Sequence, residues 1–179
     1  ARRGVATLWV IVAVPVLLTL LVVVSDVANL RLARIEAENA VEAAALAAVK
    51  QWHEGGNSST SRQRARRTAV NYAAANTVVG HPVQLGLNEG PADDNDNASP
   101  SGTIVLGKIT SGGALTFDHS SSPDPGQFGV HVQATVPVSS LFGELGGFSF
   151  GPYSVFVQST ALYDAGGEPR LVRIHSFTP

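Results

Sequence analysis

The sequence has no cysteine and no methionine, and only 15% of its 179 residues are charged. Without cysteine the chain cannot form disulfides, thiolate metal sites or a cysteine nucleophile. A typical soluble domain is about 25% charged, so part of this chain is expected to avoid water. The length suits one domain of roughly 100 to 200 residues, with or without an appendage, and excludes a large multidomain enzyme.

Charge is missing altogether from the 22 residues 4–25. A helix of this length, at about 1.5 Å per residue, spans roughly 33 Å and matches the hydrocarbon core of a bilayer. The apolar region of a cleavable signal peptide is shorter, about 7 to 15 residues. A core helix of a soluble domain is the other alternative, and it is not favoured because this run is apolar on every face. The segment therefore predicts a helix that lies in lipid or in the apolar core of a filament.

The charges on either side of this segment predict its orientation. Arg2 and Arg3 precede it, and Asp26 follows it. By the positive-inside rule the N-terminus is expected in the cytoplasm, and the rest of the chain is expected to be exported.

Residues 26–53 contain neither glycine nor proline and are rich in alanine, leucine and glutamate, which favour helix. The sequence therefore predicts one continuous rod over residues 4–53, with an apolar stripe at spacings of three and four. The stripe consists of Val27, Leu30, Ala37, Val41, Ala44, Ala48 and Trp52. Its small alanines favour close packing against another element or another subunit.

Gly55 and Gly56 end this rod, and a second helix is predicted over about residues 61–78. Near its start stands a basic cluster, predicted to lie on a solvated face or to make charge contacts with the acidic remainder of this chain or with another subunit. The cluster consists of Arg62, Arg64, Arg66 and Arg67. Because the exported part is acidic as a whole and no aromatic residues interleave the arginines, no nucleic-acid partner is expected.

Beyond Pro82 the apolar residues alternate with period two between clusters of Gly, Pro, Asn, Asp and Ser, which predicts short strands. The residues that mark them are Val83 and Leu85, Ile104 and Leu106, Leu115 and Phe117, Val130 and Val132, Val155 and Val157, and Leu171, Arg173 and His175. Helices followed by strands predict an α+β fold in which the second helix packs on an antiparallel sheet. The expected parts are an apolar helix at 1–25, its amphipathic continuation at 26–53 and an α+β head at 54–179.

Several features of the N-terminal region are similar to the TadE/TadG-like family of tight-adherence (Flp) pili. They are a basic pair and a glycine, a central proline, a following aspartate, an arginine, and an asparagine before an alanine-rich run. In this chain these are Arg2, Arg3, Gly4, Pro15, Asp26, Arg31, Asn39 and residues 43–48. Residues 129–164 resemble the TadG-type tail, in which a strand ends in a Val-Pro pair and a Leu-Phe-Gly turn follows. Pilins and TadE-like proteins have a glutamate early in the apolar helix; residues 5–9 hold no acid, so the resemblance is to the TadG-like side.

The resemblance implies a bacterial, structural, pilin-like subunit that assembles through its apolar N-terminal helix into a Tad-related extracellular filament. The alternative is a membrane-anchored minor pseudopilin or TadG-like accessory protein of pilus assembly, held in the inner membrane. The expected partners are copies of the chain, or lipid and other pilus components, with no small-molecule substrate. The residues expected on the assembly helix are Trp9, Pro15, Leu18, Leu21, Leu30, Ala37, Val41, Ala44 and Ala48.

A Gly-x-Ser-x-Gly pattern surrounds Ser149, and Asp164 and His175 follow in the order of an α/β-hydrolase triad. That motif needs a strand, a sharp turn and then a helix, whereas Gly151, Pro152 and an alternating strand pattern follow Ser149. The chain is therefore not expected to be an enzyme.

The stretch around Asp93, Asp94 and Asp96 offers oxygen ligands of the kind that calcium prefers. Its spacing is not that of an EF-hand, and a solvated turn rich in Asp and Asn is the preferred interpretation. The five histidines show no metal-ligand spacing. No cofactor is expected, and calcium at these three aspartates is the alternative.

Overall fold

The computed structural model describes residues 3–86, 102–111, 115–118, 128–145, 148–149, 151–164, 166–174 and 176–178. The predicted calcium residues Asp93, Asp94 and Asp96 lie outside the described residues, as does His175.

Helix α1 runs without a break over Arg3–Gly55, which confirms the predicted single rod. At about 1.5 Å per residue it is roughly 80 Å long. Pro15 lies inside the helix and cannot donate a backbone hydrogen bond. Four residues later, the hydroxyl of Thr19 donates to the carbonyl of Pro15 at 2.9 Å, so this polar side chain is satisfied within the apolar segment.

Helix α2, Ser59–Ala75, follows after a short turn. Gly56 has a φ of 73°, the left-handed conformation that commonly ends a helix at glycine. Ser58 caps α2, since its hydroxyl accepts a hydrogen bond from the backbone N–H of Ser61 at 3.2 Å. The helix ends before the predicted residue 78, because Thr77–Val78 pairs with His81–Pro82 in a small hairpin.

The strands of the described residues, in chain order, are β1 (Thr77–Val78), β2 (His81–Pro82), β3 (Ile104–Ser111), β4 (Leu115–Asp118), β5 (Phe128–Val138), β6 (Glu144–Leu145), β7 (Phe148–Ser149), β8 (Tyr153–Tyr163), β9 (Pro169–Val172) and β10 (Ser176–Thr178). Six of them form one sheet in the order β10-β4-β3-β5-β8-β9. All its neighbouring pairs are antiparallel except β10 and β4. The α+β prediction is confirmed.

Two of the predicted strands differ in extent. The strand expected at Val83 and Leu85 is replaced by β2, and both residues lie after it with buried side chains. Arg173 follows the end of β9. Val83 and Leu85 thus alternate because they are buried, although neither belongs to a strand, and Arg173 is exposed.

The main core lies between the second half of α1, helix α2 and the long strands β5 and β8. Trp52 of α1 meets Phe128 at the start of β5 edge to face, with ring centroids 4.9 Å apart. The neighbouring His53 stacks on Tyr163 at the end of β8, with centroids 3.8 Å apart. These contacts attach the far end of α1 to one end of the sheet.

Candidate assembly surface

Most of the predicted assembly residues in the first half of α1 are exposed. Trp9, Pro15, Leu18 and Leu21 all present their side chains to the surroundings of the chain. By length and composition α1 is able to cross a membrane. Among residues 7–25 only Val22 is buried, so this half of the helix has almost no partner within the described protein.

One exposed apolar stripe continues past the apolar segment on the side of α1 that faces away from the head. Its members follow one another at spacings of three and four residues, which keeps them on one helix face. They are Val10, Val14, Leu17, Leu21, Val24, Ala28, Leu32 and Ile35. Leu32 is 52% exposed and Ile35 is 57% exposed. We call this set the outer stripe.

Of the outer stripe, only Leu21 was among the residues that the sequence predicted for assembly, and the two large residues beyond Asp26 were not. Leu32 and Ile35 lie six and nine residues beyond Asp26, so the stripe reaches about 14 Å past the first charge after the apolar segment. The regular spacing from Val10 to Ala28 is the signal that could have located them. Large exposed apolar side chains outside a lipid-like segment indicate a contact surface.

The alanine-rich part of the predicted assembly surface has a different position. Ala37, Val41, Ala44 and Ala48 are completely buried in the core of the chain itself. The alanines of α2 that lie in the same cluster, also completely buried, are Ala65, Ala69 and Ala73. Of the two alternatives that the sequence left open for these α1 residues, the structure shows packing against other elements of the same chain, and a role in assembly stays a prediction. The physical reason for this packing is that small side chains on both helices permit a close approach.

The stripe predicted over Val27 and Leu30 is only partly covered. Together with Arg31, Tyr153 and Phe156 these residues line an open groove of about 440 Å³ between α1 and β8. Val27 is exposed and Leu30 is half-buried. The head thus closes on α1 fully only from about Ala33 onwards.

The arginine cluster of α2 does not lie on a single solvated face. Arg62 donates to the side-chain carbonyl of Asn57 at 2.8 Å, and Arg64 and Arg67 are exposed. Arg66 is almost fully buried, so the solvated face, one of the two predicted alternatives, does not apply to this residue. It lies one residue after Ala65 and three before Ala69 on the side of α2 that packs into the core.

Asp26 forms a junction between α1 and the head that the sequence did not reveal. Its carboxylate is buried, and it accepts hydrogen bonds from the hydroxyl of Ser140 at 2.5 Å and the backbone N–H of Leu141 at 2.9 Å. The side chain of Asn29 donates to the carbonyl of Ser139 at 3.4 Å. The loop after β5 is therefore attached to α1 at the residue that ends the apolar segment. We call residues 139–143 the junction loop.

His131 is the described titratable group with the clearest change in acidity. It is buried in β5, and its Nδ1 lies 2.7 Å from the hydroxyl of Thr160 in β8. Burial lowers the pKa of His131 from 6.5 to about 4, and a hydrogen bond with Gln133 opposes this effect. The ring is therefore neutral at pH 7.

Ser149 lies in β7, which pairs with β6 in antiparallel orientation and places Ser149 opposite Glu144. Strand β8 follows it, as the sequence predicts, in place of the helix that a hydrolase motif requires. Asp164 accepts a salt bridge from Arg170 at 3.4 Å. Within the part of the chain that the structure describes, no group of three or more His, Asp or Glu side chains is arranged to hold a metal ion.

Comparison with known proteins gives one family. Residues 4–51 match the family model described as "Putative Flp pilus-assembly TadE/G-like". The match confirms the TadE/TadG-like resemblance and relates the chain to Flp pilus assembly over these residues, which lie within α1. No curated protein and no solved structure matches the chain at a significant level. An apolar helix near the N-terminus together with this family fits a location in the membrane or at the cell surface.

Proposed function

We propose that this TadE/G-like chain is a structural, pilin-like subunit that associates with copies of itself through the outer stripe of α1. In this proposal residues 4–25 lie in the membrane before assembly, with the N-terminus in the cytoplasm and the head exported. The observation that supports this proposal is one exposed apolar face, which continues from the apolar segment past Asp26 to Ile35.

The position of the stripe relative to the head supports association between helices. The head covers the alanine-rich face of α1, so a second copy could approach the opposite face without displacing the head. Spacings of three and four residues are those at which apolar side chains of two helices interlock. Contact with lipid does not explain why Leu32 and Ile35 are apolar. Arg31 directly precedes Leu32 and Arg34 directly precedes Ile35, and these two charges indicate a polar environment for this turn.

Polar residues limit the stripe at its far end. Asn39 and Glu42 follow Ile35 on this side of the helix, and Arg34 pairs with Glu38 at 2.8 Å beside it. A contact through the outer stripe would therefore end near residue 39, and the rest of the head would lie outside it. This arrangement suits a filament with apolar helices at its centre and heads at its surface.

Disulfide cross-linking in native membranes and in sheared surface material tests the proposal. The chain has no cysteine, so Leu32→Cys and Ile35→Cys each introduce a single thiol. Under mild oxidation we expect covalent dimers from both variants, and none from Leu171→Cys, an exposed position on β9. Equal cross-linking at all three positions, or none at Leu32 and Ile35, would contradict self-association through this face.

A second candidate is a membrane-anchored accessory protein of pilus assembly that does not polymerise. The burial of Ala37, Val41, Ala44 and Ala48 favours it, because half of the expected assembly surface is occupied by the chain's own core. Electron microscopy of sheared surface material distinguishes the two. Filaments that contain the chain support the first candidate, and recovery only from detergent-extracted membranes supports the second.

A further inference from the structure

The junction loop presents two large apolar side chains to the surroundings. Leu141 is 59% exposed and Phe142 is 40% exposed. The hydrogen bonds from this loop to Asp26 hold it beside α1 at the residue that directly follows the apolar segment. The exposed pair is therefore next to the place where α1 would leave the hydrocarbon.

A second observation places the head at this level independently of Asp26. Val22 lies within the apolar segment, and its side chain is buried, unlike those of its neighbours Leu21 and Val23. It precedes Asp26 by one helical turn, or about 6 Å along the axis. Other parts of the chain therefore cover this face of α1 one turn before Asp26, within the uncharged segment.

The loop has contacts on both sides of its backbone. The hydroxyl of Ser140 accepts from the backbone N–H of Phe142 at 3.2 Å while it donates to Asp26. Gly151 has a φ of 76°, and a Cβ there would lie 3.2 Å from the nitrogen of Ser140. With these contacts on its backbone, the loop presents Leu141 and Phe142 side by side as an exposed apolar pair.

We propose that Leu141 and Phe142 insert into the outer leaflet and form a second membrane contact beside α1. The partner of these two side chains is the interfacial region of a phospholipid bilayer, where leucine and aromatic side chains are favourable. Two contact points would restrict the tilt of α1 relative to the membrane as well as the height of the head above it. This inference rests on the proposed membrane placement of α1.

The inference can be tested by the depth of single fluorophores in the full-length protein. Leu141→Cys and Phe142→Cys are labelled with NBD, with Leu18→Cys as the marker of the apolar helix and Leu171→Cys as the marker of the distal head. Leu171, as exposed as Phe142, pairs with Ala161 near the end of β8 that meets His53. Each protein is placed at low density in phosphatidylcholine vesicles with nitroxide-labelled acyl chains. Unchanged hydrogen exchange in β5 and β8 checks that the head is folded.

We expect the shallow nitroxide to quench the labels at Leu141 and Phe142 severalfold more than the label at Leu171. The label at Leu18 can be quenched while the labels at Leu141 and Phe142 are quenched no more than the label at Leu171. In that case the loop is in water and the inference fails, although α1 lies in the membrane as proposed. Absence of quenching at Leu18 as well would overturn the membrane placement and the inference together. Another outcome is that the NBD fluorescence at Leu141 changes only at high protein density and without any nitroxide. Such a result would identify a contact between proteins and would also overturn the inference.

Discussion

The two halves of α1 belong to one uninterrupted helix, yet they have opposite surroundings. From Thr7 to Ser25 the side chains are bulky and apolar, and almost all are exposed. From Asp26 to Gly55 one face, made mostly of alanine with Trp52 near its end, is buried against α2 and the sheet. The comparison shows that apolar character alone does not decide where a helix packs. The head covers the half that follows Asp26, where alanines allow a close approach, and leaves most of the half before Asp26 uncovered.

The largest effect is expected from substitution of the two tryptophans of α1, one of which lies in each half. Trp52 is 1% exposed and contacts Phe128, whereas Trp9 is 69% exposed. Trp52→Ala should lower the free energy of unfolding of the head by about 3 to 5 kcal/mol, because it removes a large buried side chain. Trp9→Ala should change it by less than about 0.5 kcal/mol.

Hydrogen exchange of the β5 and β8 amides in detergent measures both variants without using tryptophan as a probe. Similar effects of the two substitutions would mean that the halves of α1 do not differ as the structure indicates.

The halves should also differ in their response to pH. The folded-state pKa of His131 is about 4, below the ordinary 6.5. Between these two pH values the unfolded state therefore binds a proton on His131 that the folded state does not bind. The stability of the head should therefore be complete above pH 6.5 and fall by about 3 kcal/mol as the pH decreases to 4. Residues 4–25 contain no titratable side chain, so their helix should be unaffected.

Thermal unfolding in detergent at several pH values, followed by near-ultraviolet circular dichroism, measures this dependence. His131→Gln should have a flatter profile between pH 6.5 and 4 than the unsubstituted chain. An equally steep profile in that variant would assign the pH dependence to other groups.

A smaller effect distinguishes buried alanine from exposed alanine on the same helix. Ala44 lies in the core with the alanines of α2, and Ala28 lies on the outer stripe. Ala44→Leu should destabilise the head by about 1 to 3 kcal/mol, because the extra methylene and methyl groups have no space. Ala28→Leu should leave the head within about 0.5 kcal/mol of its original stability. Chemical unfolding in detergent compares the two, and a tolerated leucine at 44 would show that α1 and α2 are not closely packed.

Much of the fold follows from local sequence signals. The absence of glycine from residues 5–54, and of proline apart from Pro15, predicted one long helix, and the structure has it. Period-two alternation located β5 and β8, the two longest strands. The end of α2 was less accurate, because Thr77 and Val78 pair with a strand that no helical signal indicates.

The candidate site was predicted only in part, for a reason that the residues make clear. Both faces of the second half of α1 show apolar residues at helical spacing: Ala37 and Ala44 on one, Leu32 and Ile35 on the other. Periodicity identifies such faces but does not say which is covered by the same chain. Arg66 shows the same limit, since an arginine in a basic cluster is expected in solvent and here is buried.

The sequence by itself determined the elements: an uncharged helix long enough to span a bilayer, its continuation, a second helix and a series of alternating strands. These depend on interactions between residues close in the chain, which helix propensity and periodicity describe. The tertiary structure decided which face of α1 is closed and which stays open, and it joined Asp26 to Ser140, which are 114 residues apart. Contacts at that separation form only when the sheet is assembled, so no local pattern could specify them.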